Sequence, residues 1–361
     1  MPISEKNITV GILIPTYNRL DYLKMTLQSA MEQTHRKIKI IVVDDASTDG
    51  TANYIAHIQD PRVSYVLNEV NLGLASSVDK GIRMLPMDAE WCTVLCDDDL
   101  LDKDSIRSLV HTAVSQSAKT VVHSHRKFIN WTGEEIGESI RAPAEESAMD
   151  YLIARVQTVR QTYLTGVLFH RQAFEKIGGY PKFTTGISAD DAFIFALSLK
   201  DRLVYEKNAI TRIRYHRAAE SRLGAQIPKI VTTMREFQEY CEQASRESRL
   251  ADSREVELCR KVSHQYAVLI NSSYWLQNLH LLLERKERNF LDTVSDLCKI
   301  VEENRYDFSL RVRFDALGFR VLGILPETYM VYRAFWLLSS PSRSARWHLH
   351  VMNKRAKVYE Q

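Results

Sequence analysis

The sequence has little cysteine, no long apolar run and no excess of charge of one sign. Five cysteines occur in 361 residues, at 92, 96, 241, 259 and 298. The number is odd and no CxxC pair is present, which argues against a disulfide framework or a paired-cysteine zinc site. Reduced thiols in a cytosolic setting are expected. No stretch of about 18 apolar residues occurs, so no membrane-spanning helix is expected. The nearest run, residues 321–338, is broken by Pro326, Glu327 and Arg333. The start, MPISEKNITV, lacks the basic and apolar regions of a secretory signal. A net charge of +3 is too near neutral to argue for a nucleic-acid partner. No internal repeat or low-complexity tract is visible. What is there, 45% apolar and 26% charged residues, is the composition of an ordinary soluble globular protein.

The first part of the chain alternates strand and helix. ITVGILIP (8–15) and IKIIVVDD (38–45) are β-branched runs of the kind found in parallel strands covered on both faces. Between them Leu20, Leu23, Leu27, Ala30 and Met31 recur at helical spacing. A helix is expected after Ser47-Thr-Asp-Gly50, where polar side chains can cap it. RVSYVLN, WCTVLC and KTVVHSH read as further strands, with GLASSVDKGIRML and DKDSIRSLVHTAV as the helices between. This alternation predicts a mostly parallel α/β sheet flanked by helices. SADDAFIFALSLK reads as a capped amphipathic helix, and beyond Pro228 the pattern is helical throughout. A change of periodicity near 225 therefore divides an α/β domain, 1–225, from a mainly helical region, 226–361.

Three consecutive carboxylates, Asp97, Asp98 and Asp99, end an apolar strand. Each close pair of such charges costs roughly 4 kcal/mol at an effective dielectric of about 20. Either water screens them on a turn that caps the next helix, or a cation sits among them. IKIIVVDD also ends in acids, and parallel strands bring their C-terminal ends to one sheet edge, where open α/β sheets bind ligands. Asp44, Asp45, Asp97, Asp98 and Asp99 are thus expected to share a site.

The segments ILIPTYNR (12–19), VVDDASTDGT (42–51), NLGLASSVDKGI (71–82), LCDDDLL (95–101), FHRQAFEKIGGYP (169–181) and SADDAF (188–193) come in an order that resembles the family 2 inverting glycosyltransferases of GT-A fold. The resemblance covers roughly residues 8–217. It implies a nucleotide-sugar donor whose diphosphate is joined to the acids by Mn²⁺ or Mg²⁺, hard cations that favour carboxylate oxygen. By the same resemblance Asp99 is the direct metal ligand, and His216 matches a position that can close on the metal. Asp98 contacts the donor sugar or ribose, and Asp97 orients either. Pro15, Thr16, Tyr17, Asn18 and Arg19 line the nucleotide pocket, and Asp45 reads the base, which suits uridine. Asp191, the second acid of SADD, becomes the base that takes the acceptor proton, with Asp190 assisting or binding acceptor. Val78 and Asp79 depart from the family, which often has basic and amide residues there. Arg212, Arg214, Arg217 and Arg222 either neutralise the leaving diphosphate or face solvent along a strand. His123, His125, His348 and His350 have no matched partners and are read as structural.

The tail from Tyr306 carries nine Lys or Arg against four Asp or Glu, mixed with aromatics. It suits helices packed on the catalytic domain or on a second subunit of a homo-oligomer. It also suits peripheral contact with an anionic membrane, which would fit a lipid-linked rather than a free glycan acceptor. The expectation is a cytoplasmic, metal-dependent transferase. Two rivals stand beside it: a sugar nucleotidyltransferase, for which IPTYNRLDY lacks the Gly-rich, Lys-bearing phosphate loop, and a catalytically degenerate scaffold that binds donor or partner subunits.

Overall fold

A computed structural model describes residues 8–116, 121–161, 163–215, 227–248, 253–285, 290–310 and 312–313. The elements, in order, are β1 (Val10–Thr16), α1 (Leu20–Met31), β2 (Ile38–Asp44), α2 (Thr51–Ala56), β3 (Val63–Leu67), α3 (Leu74–Met84), β4 (Trp91–Val94), β5 (Leu100–Leu101) and α4 (Ser105–Gln116). They continue with β6 (Val121–Ile129), β7 (Glu135–Glu138), β8 (Glu145–Glu146), α5 (Ala148–Val156), β9 (Val167–His170), α6 (Arg171–Lys176), α7 (Ala189–Ser198) and β10 (Leu203–Arg214). Three helices follow: α8 (Ile227–Glu247), α9 (Ser253–Arg285) and α10 (Phe290–Glu303).

One sheet runs in the order β3-β2-β1-β4-β9-β6-β10-β5, with β7 beside β6 and β8 beside β10. The first four strands are parallel, as the alternation predicts. The parallel pair β6 and β10 is joined to them through β9, which is antiparallel to both β4 and β6. All seven residues of β1 are buried, because helices cover both faces. Its side chains alternate between two cores: Leu13 belongs with α3, α7 and α8, and Ile12 and Ile14 with α1 and α4.

Two glycines permit close approaches. Gly81 brings α3 down onto Leu13 and Val43. Gly166, at φ +82°, lies under Ser124 and Thr211, whose hydroxyls are hydrogen-bonded at 2.7 Å. A Cβ there would meet both hydroxyls in a backbone conformation that L residues rarely adopt. Gly166→Ala is expected to cost about 2 kcal/mol or more in unfolding free energy, readable by urea denaturation. An unchanged midpoint would refute this account of the contact.

The helix over SADDAFIFALSLK forms, but it is neither capped nor amphipathic as expected. Ser188 adopts φ +59° and makes no cap hydrogen bond, and every residue of α7 except Asp190 is buried. The reason is the C-terminal region: α8 and α9 pack over α7 and α5, so Asp190 alone of α7 is left partly open to water. One core cluster runs from Leu13 through Phe193 to Phe237 and Tyr266, continuous across residue 225. The helix after Ser47-Thr-Asp-Gly50 starts from Gly50 in a left-handed conformation, and Asp49 supplies the capping contacts to Thr51. No helix among the described residues is long and apolar enough to cross a membrane. The basic, aromatic tail beyond 313, and with it the membrane and subunit alternatives, lies outside the described residues.

Candidate active site

Asp97, Asp98 and Asp99 follow β4 at the C-terminal edge of the parallel strands. Asp97 is buried: its Oδ2 accepts from Thr16 Oγ1 at 2.8 Å, and its Oδ1 faces Arg19 Nη1 at 3.0 Å. The same nitrogen reaches Asp98 Oδ2 at 3.1 Å, so Arg19 bridges two of the three acids. Asp99 is also buried; Oδ2 accepts from Thr165 Oγ1 at 2.6 Å and Oδ1 from the Arg214 N–H at 2.9 Å. Thr26 Oγ1, 2.8 Å from the carbonyl oxygens of both Asp97 and Asp99, ties the turn to α1.

Three acids outnumber the guanidinium that bridges them. Burial and the charge of Asp98 push Asp97 up to about 6, and the same two causes raise Asp99 well above the carboxylate range. Arg214 sends its guanidinium to backbone carbonyls, of Asp98 at 2.9 Å and of Asn130 and Trp131 at 3.2 Å, and lies over the Tyr22 ring. Arg212 pairs with Asp102 at 2.6 Å. Among the described residues the cluster holds three carboxylates and one bridging guanidinium, and its donors are the hard oxygens that Mg²⁺ or Mn²⁺ takes. No three His, Cys, Asp or Glu side chains converge as a cage among the described residues. An ion that takes one or two carboxylates and completes its shell with phosphates and water needs no such cage. His216, expected to close on the metal, lies outside the described residues, as do Arg217 and Arg222.

The other donor-side candidates gather on the neighbouring strand ends. Pro15 and Thr16 are buried in β1, Tyr17 is 46% exposed, and Asn18 is exposed beside it. Asn18 takes φ 51° and knits two loops: its N–H donates to Ser47 Oγ at 2.9 Å and its Oδ1 accepts from the Thr48 N–H at 2.7 Å. Asp44 is a turn acid, accepting from the Ser47 N–H and from Tyr65 OH. Asp45 accepts from Asn68 Nδ2 and the Leu72 N–H through Oδ1, and from the Gly73 N–H through Oδ2. It thus clamps the turn that opens α3. Val78 and Asp79 have structural duties: Val78 is core, and Asp79 accepts the Tyr180 N–H at 2.8 Å and pairs with Lys182.

The acid pair of α7 forms a separate network. Asp191 is 2% exposed, and both oxygens are committed. Oδ1 accepts from Tyr151 OH at 2.6 Å; Oδ2 accepts from Tyr266 OH at 2.6 Å and from Arg155 Nη2 at 2.9 Å. Arg155 Nε lies 2.7 Å from Oδ1 but off the line of its N–H, an ion contact rather than a hydrogen bond. Asp190 is only half-buried, and burial beside Asp191 pushes it up to about 7. Sequence reasoning missed Arg155, Tyr151, Tyr266, Thr165 and Thr26. The available signal was the four-residue spacing of Tyr151 and Arg155 on one face of α5.

Residues 11–178 match the model of glycosyl transferase family 2. The chain carries a family 2 glycosyltransferase domain. Among curated relatives, glycosyltransferase GlyA of Streptococcus pneumoniae is 23% identical over 59% of the chain and 32% of its own length. The GalNAc(5)-diNAcBac-PP-undecaprenol beta-1,3-glucosyltransferase of Campylobacter jejuni is 28% identical over 40% of the chain and 48% of its own. Succinoglycan biosynthesis protein ExoO of Rhizobium meliloti is 30% identical over 34% of each. The chain thus spans half or less of these relatives' lengths. S. aureus TarS 1–349, solved with UDP-GlcNAc, superposes with a TM-score of 0.55 over 81% of both chains at 14% identity. The fold is therefore that of the GT-A glycosyltransferases, a sheet flanked by helices and followed by a helical region.

Proposed function

We propose that this protein is an inverting glycosyltransferase that moves a hexose-type sugar from a uridine diphosphate donor to a hydroxyl of a glycan or lipid-linked acceptor in bacterial surface polysaccharide assembly. The observation that carries the reading is the edge cluster of Asp97, Asp98 and Asp99, three carboxyls gathered where β1 and β4 end, two of them buried. A divalent ion that carries a diphosphate suits such a set of carboxylate oxygens. Family membership and the TarS fold, solved with UDP-GlcNAc, support the same reading.

In this reading Asp99 and Asp98 face the ion and the donor, with His216 as a further ligand. Bound Mn²⁺ or Mg²⁺ would stabilise charge on the departing diphosphate, a contribution of several kcal/mol. Thr16 and Arg19 hold Asp97 in place. Tyr17, exposed at the strand end, offers a face to the nucleotide, while Asn18 shapes the loop around it. Asp45 keeps one lone pair, on Oδ2, for a base N–H after clamping its turn. Inversion in one displacement needs a carboxylate from the α7 pair to accept the acceptor proton. Residues 1–225 would then be the catalytic domain and 226–361 the acceptor, oligomer or membrane-contact region.

A panel of nucleotide sugars, each incubated with Mn²⁺ and with EDTA, tests this directly. Release of UDP from at least one UDP-sugar, abolished by EDTA, is expected. No turnover of any donor would sink the transferase, and turnover indifferent to EDTA would remove the metal.

A further inference from the structure

Arg126 of β6 is 3% exposed, and its guanidinium has one edge in use and one open. Nη1 donates to His123 Nδ1 at 3.1 Å and to the Ser124 carbonyl at 3.2 Å. Nε and Nη2 are buried with no hydrogen-bond partner among the described residues. Those two N–H groups lie side by side, the fork that takes both oxygens of one carboxylate or phosphate. Elsewhere in the chain the same fork is filled. Arg160 Nε and Nη2 hold the two oxygens of buried Glu146 at 3.1 and 2.9 Å, and Arg212 holds those of Asp102 at 2.6 and 3.2 Å. A water could satisfy the N–H groups of Arg126, but it would not balance a buried charge.

The open fork sits toward the edge that carries the acids. The turn at Thr165 and Gly166 stands between β4 and β6. Thr165 Oγ1 donates to Asp99 and accepts from the Cys96 N–H, and the Ser124 N–H donates to the Gly166 carbonyl at 2.9 Å. β4 and β6 run the same way, both antiparallel to β9. Arg126, two residues beyond Ser124, therefore lies toward the edge at which Asp97, Asp98 and Asp99 follow β4. The groups acting on its charge are Tyr151, Tyr163, Asp190 and Tyr205. Asp190 accepts from the Asp191 N–H rather than from Arg126, and the cation that most favours its ionised form is Arg155. Asp190, Tyr163 and Tyr205 are half-buried, so water is one side chain away from the fork. We propose that the Nε and Nη2 fork of Arg126 receives an oxyanion, a carboxylate or phosphate group carried by the acceptor, so that the acceptor is a charged glycan or a phosphate-bearing chain rather than a neutral sugar. Assigning the anion to the acceptor rests on the glycosyltransferase reading above, in which the donor diphosphate goes to the Asp97–Asp99 edge and the acceptor meets the α7 acids. Binding of the anion does not rest on it.

The test uses the full chain in EDTA at constant ionic strength, with glucuronate and inorganic phosphate as probes, neutral glucose as control and thermal melts as readout. At least one of the anions is expected to stabilise the wild-type chain saturably, and glucose is not. The anion that saturates at the lower concentration names the charged group. Arg126→Lys keeps the charge without the fork, and Arg126→Gln removes both; each should weaken the anion at least about tenfold. No saturable effect of either anion on the wild-type chain below roughly 50 mM overturns the site without recourse to any variant. So does a folded Arg126→Lys or Arg126→Gln that binds the anion as tightly as wild type. Repeating the titration with Mg²⁺ and UDP bound should leave the anion binding. Its displacement would put the fork on the donor phosphates and overturn the assignment to the acceptor. A chain that turns over no nucleotide sugar in the panel yet binds the anion through Arg126 fails the transferase reading and keeps the anion site, so the two failures are told apart.

Discussion

Replacing Arg155 by leucine should lower the unfolding free energy by about 3–5 kcal/mol, the cost of leaving one partner of a buried ion pair uncompensated. Arg155 contacts both oxygens of Asp191, donates to the Arg160 carbonyl at 2.6 Å, and lies over the Tyr266 ring. Leucine fills part of the space but leaves Asp191 with two tyrosine hydroxyls in a site that is 2% exposed. The double substitution Arg155→Leu with Asp191→Leu removes both charges and should recover much of the loss. Urea denaturation of the single and double variants measures this. A single variant within about 0.5 kcal/mol of wild type would mean that the pair does not hold α5, α7 and α9 together.

Asp99→Asn should act in opposite directions on stability and on turnover. Asparagine keeps the shape, accepts from the Arg214 N–H through its one oxygen and can donate its amide to Thr165 Oγ1, but it removes a charge from a cluster in which burial and Asp98 already disfavour ionisation. A carboxyl raised in the folded state keeps its proton after the unfolded chain has lost its own, so the metal-free protein loses stability as pH rises. For Asp97 that window runs from 3.8 to about 6, and Asp99 adds to it in the same direction. Without metal, Asp99→Asn is therefore expected to melt above wild type at neutral pH. With Mn²⁺ and UDP the order should reverse, because wild type gains a ligand that the variant holds weakly. Donor turnover should fall about 10²–10⁴-fold, the rate equivalent of several kcal/mol of lost charge stabilisation. Thermal melts with and without Mn²⁺–UDP decide it: an equal ligand-induced shift in both proteins would discard Asp99 as a ligand.

The parallel half of the sheet was legible because each strand is a short apolar run bounded by turn residues, and burial on both faces demands such runs. The antiparallel β9 between β4 and β6 was not, since four residues of strand carry no sign of direction. The amphipathic reading of α7 failed for a related reason. Asp190 and Asp191 made its first turn look wet, yet the residues that cover it lie on α5, α8 and α9, far along the chain. Likewise the sequence showed Asp79 only as a departure from the family, and its partners Tyr180 and Lys182 lie far along the chain.

The order of the motifs and the placing of acids at the ends of β2 and β4 were determined by the sequence itself, because strand–helix alternation forces parallel strands to end at one edge. Which carboxylate is spoken for was decided only by the tertiary structure. Asp191 finds Arg155, Tyr151 and Tyr266 at separations of 36, 40 and 75 residues. Two identical neighbours in a sequence become different groups when long-range packing surrounds one with donors and leaves the other facing water.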